Sequence, residues 1–117
     1  MDIHLTVGDA VLGGALLDTP AGRDFAALLP LTLSLRDFKG TEKVSDLPRR
    51  LTTAGAPAGA TPTVGDITYY APWGNLAVFY RGFGYAQGLV ILGHLDDGAE
   101  QLATLSDDTV LTIDVAS

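Results

Sequence analysis

Hydrophobic and polar residues alternate in several short runs along the chain, and this period is typical of half-buried β-strands. The first run covers residues 3–7 and leads through Gly8-Asp9 into a second β-suited run over residues 10–17. Two such runs around a glycine-containing turn predict a β-hairpin. Further strands are predicted over residues 31–36, 89–95 and 110–115.

A second predicted hairpin carries most of the aromatic side chains, with residues 65–71 and 76–80 flanking the turn 72–75. Neighbouring residues of a strand face opposite sides, so one of Tyr69 and Tyr70 should pack inside the fold and the other should point to solvent or a cleft. Trp73 is predicted at the hairpin tip. There it would serve either as an exposed binding anchor or as packing over the adjacent loop.

Two helices interrupt the strands. Thr19 followed by Pro20 is a typical helix start, and the second proline, Pro30, ends the segment. Residues 97–105 are predicted to form the second helix. Because strands predominate and only two helices are present, the sequence predicts a mainly β fold, a closed or nearly closed antiparallel barrel capped by helices.

Two features depart from this regular pattern. Glycine and proline punctuate residues 38–63, which predicts a long loop of the kind that is usually functional or mobile. Whether this loop closes over a cleft is left open at this stage. Gly93 interrupts an apolar strand and predicts a β-bulge or a close approach of another backbone.

The composition indicates a single globular domain over residues 1–117, with 47% hydrophobic residues, 18% charged residues and no cysteine. Without cysteine there is neither a thiolate nucleophile nor a cysteine zinc site. The net charge of −7 argues against nucleic-acid binding, because an acidic surface repels phosphates. The amino terminus lacks the basic and apolar pattern of a signal peptide and no run is long enough to span a membrane, so we expect a cytoplasmic protein without membrane contact.

Several segments resemble the cyclophilins in order and character. They include the first hairpin, the first helix and the apolar strand with its following helix at residues 88–98. Two phrases, Gly-Thr-Glu-Lys at 40–43 and Gly-Asp-Ile-Thr-Tyr-Tyr-Ala-Pro-Trp-Gly-Asn-Leu-Ala-Val-Phe-Tyr at 65–80, look like those of a group of microbial cyclophilin-like proteins. This resemblance implies a closed, eight-stranded antiparallel barrel with a helix at each end.

The resemblance also implies a possible activity, peptidyl-prolyl isomerisation. In cyclophilins an arginine beside an apolar pocket lowers the barrier to rotation about the prolyl amide electrostatically, without a nucleophile or cofactor. Arg36 is the match to that arginine, because it follows the first helix and ends the next strand. The chain departs from the family pattern at Leu76-Ala77-Val78, where cyclophilins have Gln-Phe-Phe. A retained cleft with altered contents therefore fits better than a conserved isomerase site.

The candidate ligand-binding residues combine charged and aromatic side chains: Arg36, Glu42, Tyr70, Trp73 and Phe79. Lys43 beside Glu42 is either a second polar contact or half of a surface ion pair. His4 and His94 have no carboxylate at a ligand spacing, so no metal site is predicted.

Three functional hypotheses follow. The leading one is a binding domain whose cleft takes a small molecule or an extended, proline-containing peptide, without a cofactor. The second is a divergent prolyl isomerase with Arg36 as its electrostatic catalyst. The third is a protein-protein interaction module that pairs through Trp73, with its oligomeric state left open. The orientation of Arg36 also stays open here, since a one-residue change of register would turn its side chain to the other face.

Overall fold

The predicted amino-terminal hairpin and first helix form as expected in the computed structural model, which describes residues 1–116. Strand β1 is Asp2–Val7, β2 is Ala10–Leu16, and helix α1 is Pro20–Ala26. The Thr19 hydroxyl oxygen caps the helix by accepting a hydrogen bond from the Gly22 amide at 3.0 Å. The helix is shorter than the predicted segment, and two further turn bonds continue it as far as Leu29.

Eight strands close into an antiparallel barrel, which confirms the predicted fold class. Their spatial order is β1-β10-β3-β4-β7-β6-β9-β2. Two further strands, β5 and β8, pair with each other outside the barrel. The remaining bounds are β3 Leu31–Phe38, β4 Glu42–Asp46, β5 Gly59–Ala60, β6 Asp66–Tyr70, β7 Asn75–Phe79, β8 Ala86–Gln87, β9 Leu89–Leu95 and β10 Thr109–Val115.

The prediction that residues 38–63 form a long loop, without regular structure beyond short pieces, is wrong for residues 42–46, because they form strand β4 of the barrel. A tight turn with positive φ at Lys39 and Gly40 connects β3 to β4, and the Thr41 amide donates to the Phe38 carbonyl across it. The inward positions of β4 are Lys43 and Ser45, both buried. Polar residues at inward positions remove the apolar alternation by which a strand is recognised in a sequence.

The rest of that segment is fastened to the barrel and to α1. The amide of Leu51 donates to the Tyr69 hydroxyl at 3.2 Å, and the Leu51 side chain is part of the hydrophobic core. Asp24 of α1 accepts from both the Arg49 guanidinium and the Thr52 amide, at 2.8 and 2.7 Å. Residues 49–52 therefore lie against α1.

The two helices lie at opposite ends of the barrel. The second is a 3-10 helix over Ala99–Thr104, shorter than the predicted segment 97–105 and of a tighter type. It follows β9, whereas α1 follows β2. Because β2 and β9 pair antiparallel, their carboxyl ends lie at opposite ends of the barrel. Buried Phe25 closes one end of the core and Leu102 the other.

Gly93 lies where two backbones approach closely, as predicted. An ideal Cβ on Gly93 would meet the Ala15 carbonyl oxygen of β2 at 2.1 Å. On its other side, the β6–β9 register shifts between Ile67 and Thr68, so that Leu92 is the extra residue of a bulge. No helix within residues 1–116 has the length and apolar character needed to cross a membrane.

Candidate functional site

The outer face of β3, β4 and β7 brings an acidic and two aromatic side chains into one row. Glu42 pairs directly with Phe38 on one side and with Phe79 on the other. Directly paired residues project from the same face of a sheet, with Cβ atoms about 5 Å apart. The Glu42 side chain therefore emerges between two phenylalanine rings.

The next two rows form a floor and an opposite wall. Val44 pairs with Ala77, and these two buried side chains provide a low apolar floor. One row further, Asn75 pairs with Tyr70, which in turn pairs with Leu89 of β9. The face is thus shallow in the middle and higher along both margins.

Two aromatic rings from connecting segments complete a cleft. Trp73, from the β6–β7 turn, makes edge contacts with Tyr70 and Phe38 at centroid distances of 5.3 and 5.5 Å, so its ring spans the floor between the two margins. Phe83 lies 6.4 Å from Phe79. The cleft has a volume of about 240 Å³ and is open to solvent.

Four of the five predicted ligand-binding residues line this cleft: Glu42, Tyr70, Trp73 and Phe79. The fifth, Arg36, pairs with Val44 and so projects from the same outer face, one strand away from the floor. Its exposed guanidinium points toward Asp46, at 3.9 Å. It lies beside the cleft and does not line it. Lys43, considered next to Glu42, points into the barrel and is not a surface contact.

Sequence reasoning missed eight of the described cleft residues, among them Phe38, Lys39, Asn75 and Phe83. Phe83 stands between two glycines, a pattern that marks an exposed aromatic side chain in a flexible segment. Phe38 and Lys39 lie at the start of the segment that was expected to be a loop. Only the pairing register of β3 with β4 places them beside Glu42.

The Glu42 carboxylate is half-buried and has one hydrogen-bond partner, the Thr41 hydroxyl, which donates to Oε2 at 2.5 Å. Burial raises the pKa of Glu42 above its usual value, an effect that the Thr41 hydrogen bond opposes and that nearby Asp37 reinforces. Within residues 1–116, no Lys, Arg or His nitrogen lies within 4.0 Å of this carboxylate.

Asn75 contributes an unpartnered polar group to the cleft wall. Its side chain is 2% exposed, and its buried Oδ1 accepts no hydrogen bond from the described residues. A buried carbonyl oxygen without a hydrogen-bond partner costs about 1–3 kcal/mol.

A second groove lies between α1 and the segment before β5. It is lined by Leu17, Pro20, Ala21, Ala56 and Pro57 among others, and its described lining includes no charged side chain. Its volume is also about 240 Å³. The groove is lined by apolar residues and Thr19, whereas the cleft beside Glu42 combines apolar, polar and charged side chains.

Comparisons with known proteins agree with this architecture. The sequence model of the Cyclophilin-like family matches residues 5–114. The chain belongs to the cyclophilin-like family. A solution structure of a hypothetical protein from Archaeoglobus fulgidus superimposes with a TM-score of 0.67, covering 99% of this chain and 95% of the other at 16% identity. No curated protein matches the chain.

Membership of this family establishes the fold, but proteins of one fold perform many different functions. Within residues 1–116 of this cyclophilin-like chain, no group of three His, Cys, Asp or Glu side chains is arranged to hold a metal ion. Ala77, in the segment Leu76-Ala77-Val78, lies on the floor of the cleft.

A separate polar cluster joins the β3–β4 hairpin to the second helix. Buried Lys43 donates to the Leu105 carbonyl at 2.7 Å and lies 3.5 Å from Asp37. The Tyr80 hydroxyl also donates to Asp37, and this bond holds the pKa of Asp37 below its usual value. Burial, together with the Asp37 bond, raises the pKa of Tyr80 to about 12. The cluster stabilises the barrel end beside the cleft.

The raised pKa of Tyr80 predicts a loss of stability in alkali. Its folded-state pKa of about 12 exceeds the unfolded value of about 10, so the contribution is fully present below pH 10 and is lost as the pH rises toward 12. Tyr80→Phe should remove this dependence. Denaturant unfolding at a series of alkaline pH values measures it, and Tyr85→Phe, at a 62% exposed position, is the control. Parallel pH profiles for wild type and Tyr80→Phe would contradict the assignment.

Proposed function

We propose that this cyclophilin-like protein is a binding domain whose outer cleft takes a small molecule or an extended peptide. The observation that carries the proposal is the cleft itself, in which five aromatic side chains surround a floor of small residues beside Asn75, whose Oδ1 has no hydrogen-bond partner among the described residues. Apolar walls with a few polar groups are typical of ligand sites. Exposed aromatic rings such as Trp73, at 57%, supply binding energy at low conformational cost.

The size of the cleft limits what it can take. Sites for drug-sized ligands commonly measure about 300–1,000 Å³. A cleft of about 240 Å³ suits one ring or one side chain with its flanking atoms. A small molecule of that size or a proline-containing peptide meets this limit, and a dinucleotide cofactor does not.

The proposal predicts that Xaa-Pro peptides shift the amide resonances of the cleft residues in isotopically labelled protein. Trp73→Ala should weaken the binding severalfold, because it removes the ring that spans the floor. Val110→Ala removes another exposed apolar side chain, on β10, and is the control. If neither peptides nor small aromatic compounds perturb the resonances of Ala77 and Phe79, the cleft is not a binding site.

A divergent prolyl isomerase is the second candidate, supported by the position of Arg36. Its side chain projects from the cleft face and is held by one long contact with Asp46, so it is free to reach a peptide carbonyl. Uncatalysed isomerisation takes tens of seconds, and exchange cross-peaks therefore appear only with catalysis. Cross-peaks that vanish in Arg36→Ala and persist in Arg23→Ala, a substitution on α1, would support the isomerase. Peptide binding without cross-peaks would support the binding domain and contradict the isomerase.

A further inference from the structure

We propose that the cleft recognises its ligand through a positively charged nitrogen, an organic ammonium group attached to a small apolar body, with Glu42 as the anionic partner. This inference rests on the binding function proposed above and names the chemical class of the ligand. It is carried by two independent features, the charge of the cleft and the arrangement of its aromatic rings.

The first feature is an unpaired carboxylate. Glu42 is half-buried between Phe38 and Phe79, and within residues 1–116 it has no cationic group within 4.0 Å. The Thr41 hydroxyl satisfies one of its oxygens. A carboxylate removed from water is stabilised when a cation binds beside it. Burial raises the pKa of Glu42, and the Thr41 hydrogen bond and the more distant charge of Lys39 offset this effect only in part.

The second feature is the set of aromatic rings around that carboxylate. Cations are attracted to the faces of aromatic rings within about 6 Å of the centroid, and several such rings together form the usual site for alkylammonium groups. The row Phe38–Glu42–Phe79 places rings on both sides of the charge. Tyr70, Trp73 and Phe83 add further rings around the same space.

Lys39 shows that this wall accepts a cation. Its ammonium lies 5.2 Å from the centroid of the Phe38 ring, although Lys39 itself is exposed and forms no ion pair with Glu42. The residue has a positive φ of 56°, a conformation uncommon for lysine, which directs it to this margin of the cleft. The positive charge of this lysine would repel a ligand ammonium.

Lys39→Gln should therefore strengthen ammonium binding about twofold to threefold.

The test compares 2-phenylethylamine, a cation at pH 7, with its neutral counterpart 2-phenylethanol. In NMR titrations we expect the amine to bind wild type about tenfold more tightly than the alcohol. Glu42→Gln should abolish most of this preference, because it weakens amine binding much more than alcohol binding. Asp46→Asn is the matched control, because it removes the same charge from the same strand outside the cleft lining and should keep the preference.

Peptides distinguish the source of the ammonium. Ac-Ala-Lys-Pro-Ala-NH2 is compared with the same peptide carrying norleucine, which keeps the four-carbon chain without the charge. A preference for the lysine peptide that Glu42→Gln removes supports a peptide ligand; a preference shown only by the free amine supports a small molecule.

Two results would overturn the inference, and only the second would also overturn the proposed binding function. Equal binding of charged and neutral probes, or an amine preference that survives in Glu42→Gln, rejects the ammonium and leaves the binding cleft. A failure of all four probes to shift cleft resonances rejects the proposed binding function as well. Denaturant unfolding of Glu42→Gln tests whether the variant is folded. Lys39→Gln tests the same electrostatic effect by removing a positive charge, whereas Glu42→Gln removes a negative one.

Discussion

Replacing Gly93 with alanine is expected to lower the free energy of unfolding by about 3 kcal/mol, at the upper end of the usual cost of overpacking. The added methyl group would stand 2.1 Å from the Ala15 carbonyl oxygen and 2.9 Å from the Leu16 Cα. Both obstacles are backbone atoms, which cannot move aside as a flexible side chain can. The β2–β9 pairing spans only three residue pairs, Leu16 with Gly93 among them, and it closes the barrel.

Denaturant unfolding of Gly93→Ala and Gly84→Ala measures this effect. A Cβ on Gly84 would meet no atom within 4 Å, so that substitution should change the free energy of unfolding by no more than about 0.5 kcal/mol. The pair separates the close approach from the general effect of replacing a glycine in this chain. Equal stability of the two variants would mean that β2 and β9 do not approach each other as described.

Seven of the eight barrel strands could be predicted because their inward positions are apolar. In β1, for example, Ile3, Leu5 and Val7 are buried while the residues between them are exposed. The period of two is then visible without any knowledge of neighbouring strands. Gly93 was also informative, since a glycine inside an apolar strand indicates a bulge or a close backbone approach, and here both occur.

Strand β4 could not be predicted in the same way, because its inward side chains are Lys43 and Ser45. Lys43 is tolerated inside the barrel end because the Leu105 carbonyl and Asp37 meet its ammonium. Asp37 lies on β3 and Leu105 lies at the end of the second helix, so the two partners are far apart in the sequence. A local pattern contains no information about such compensation.

The candidate site was predicted as far as residue type alone allows. Tyr70, Trp73 and Phe79 of the second hairpin and Glu42 stood out in the sequence, and these four line the cleft. The other two aromatic residues of the hairpin, Tyr69 and Tyr80, belong to the hydrophobic core. Trp73 packs against Tyr70 and Phe38 and still exposes 57% of its surface, so its role as a binding anchor stays a prediction. Phe38 and Asn75 enter the site only through strand pairing, which a single sequence does not specify.

The largest functional effect is expected from Ala77→Phe, which should abolish detectable binding of Xaa-Pro peptides and of 2-phenylethylamine. Ala77 lies on the cleft floor between Val44 and Thr68 of the neighbouring strands. A phenyl ring at this position projects into the open space of about 240 Å³ and occupies the place of the ligand. Because Ala77 is itself buried, we expect the substitution to lower the free energy of unfolding by about 1–3 kcal/mol, the usual cost of overpacking, and the variant to remain folded.

Ser34→Phe is the control for this substitution, because it adds the same ring to an exposed position on the outer face of β3, away from the cleft. NMR titration of both folded variants with the same probes should show binding by Ser34→Phe alone. Unchanged binding by Ala77→Phe would mean that the probes do not bind in the cleft, and the apolar groove beside α1 would be the next candidate site. That groove has no charged lining among the described residues, so a ligand bound there would show no preference for an ammonium group. The blocked cleft and the charge of the probe thus test the same site by independent means.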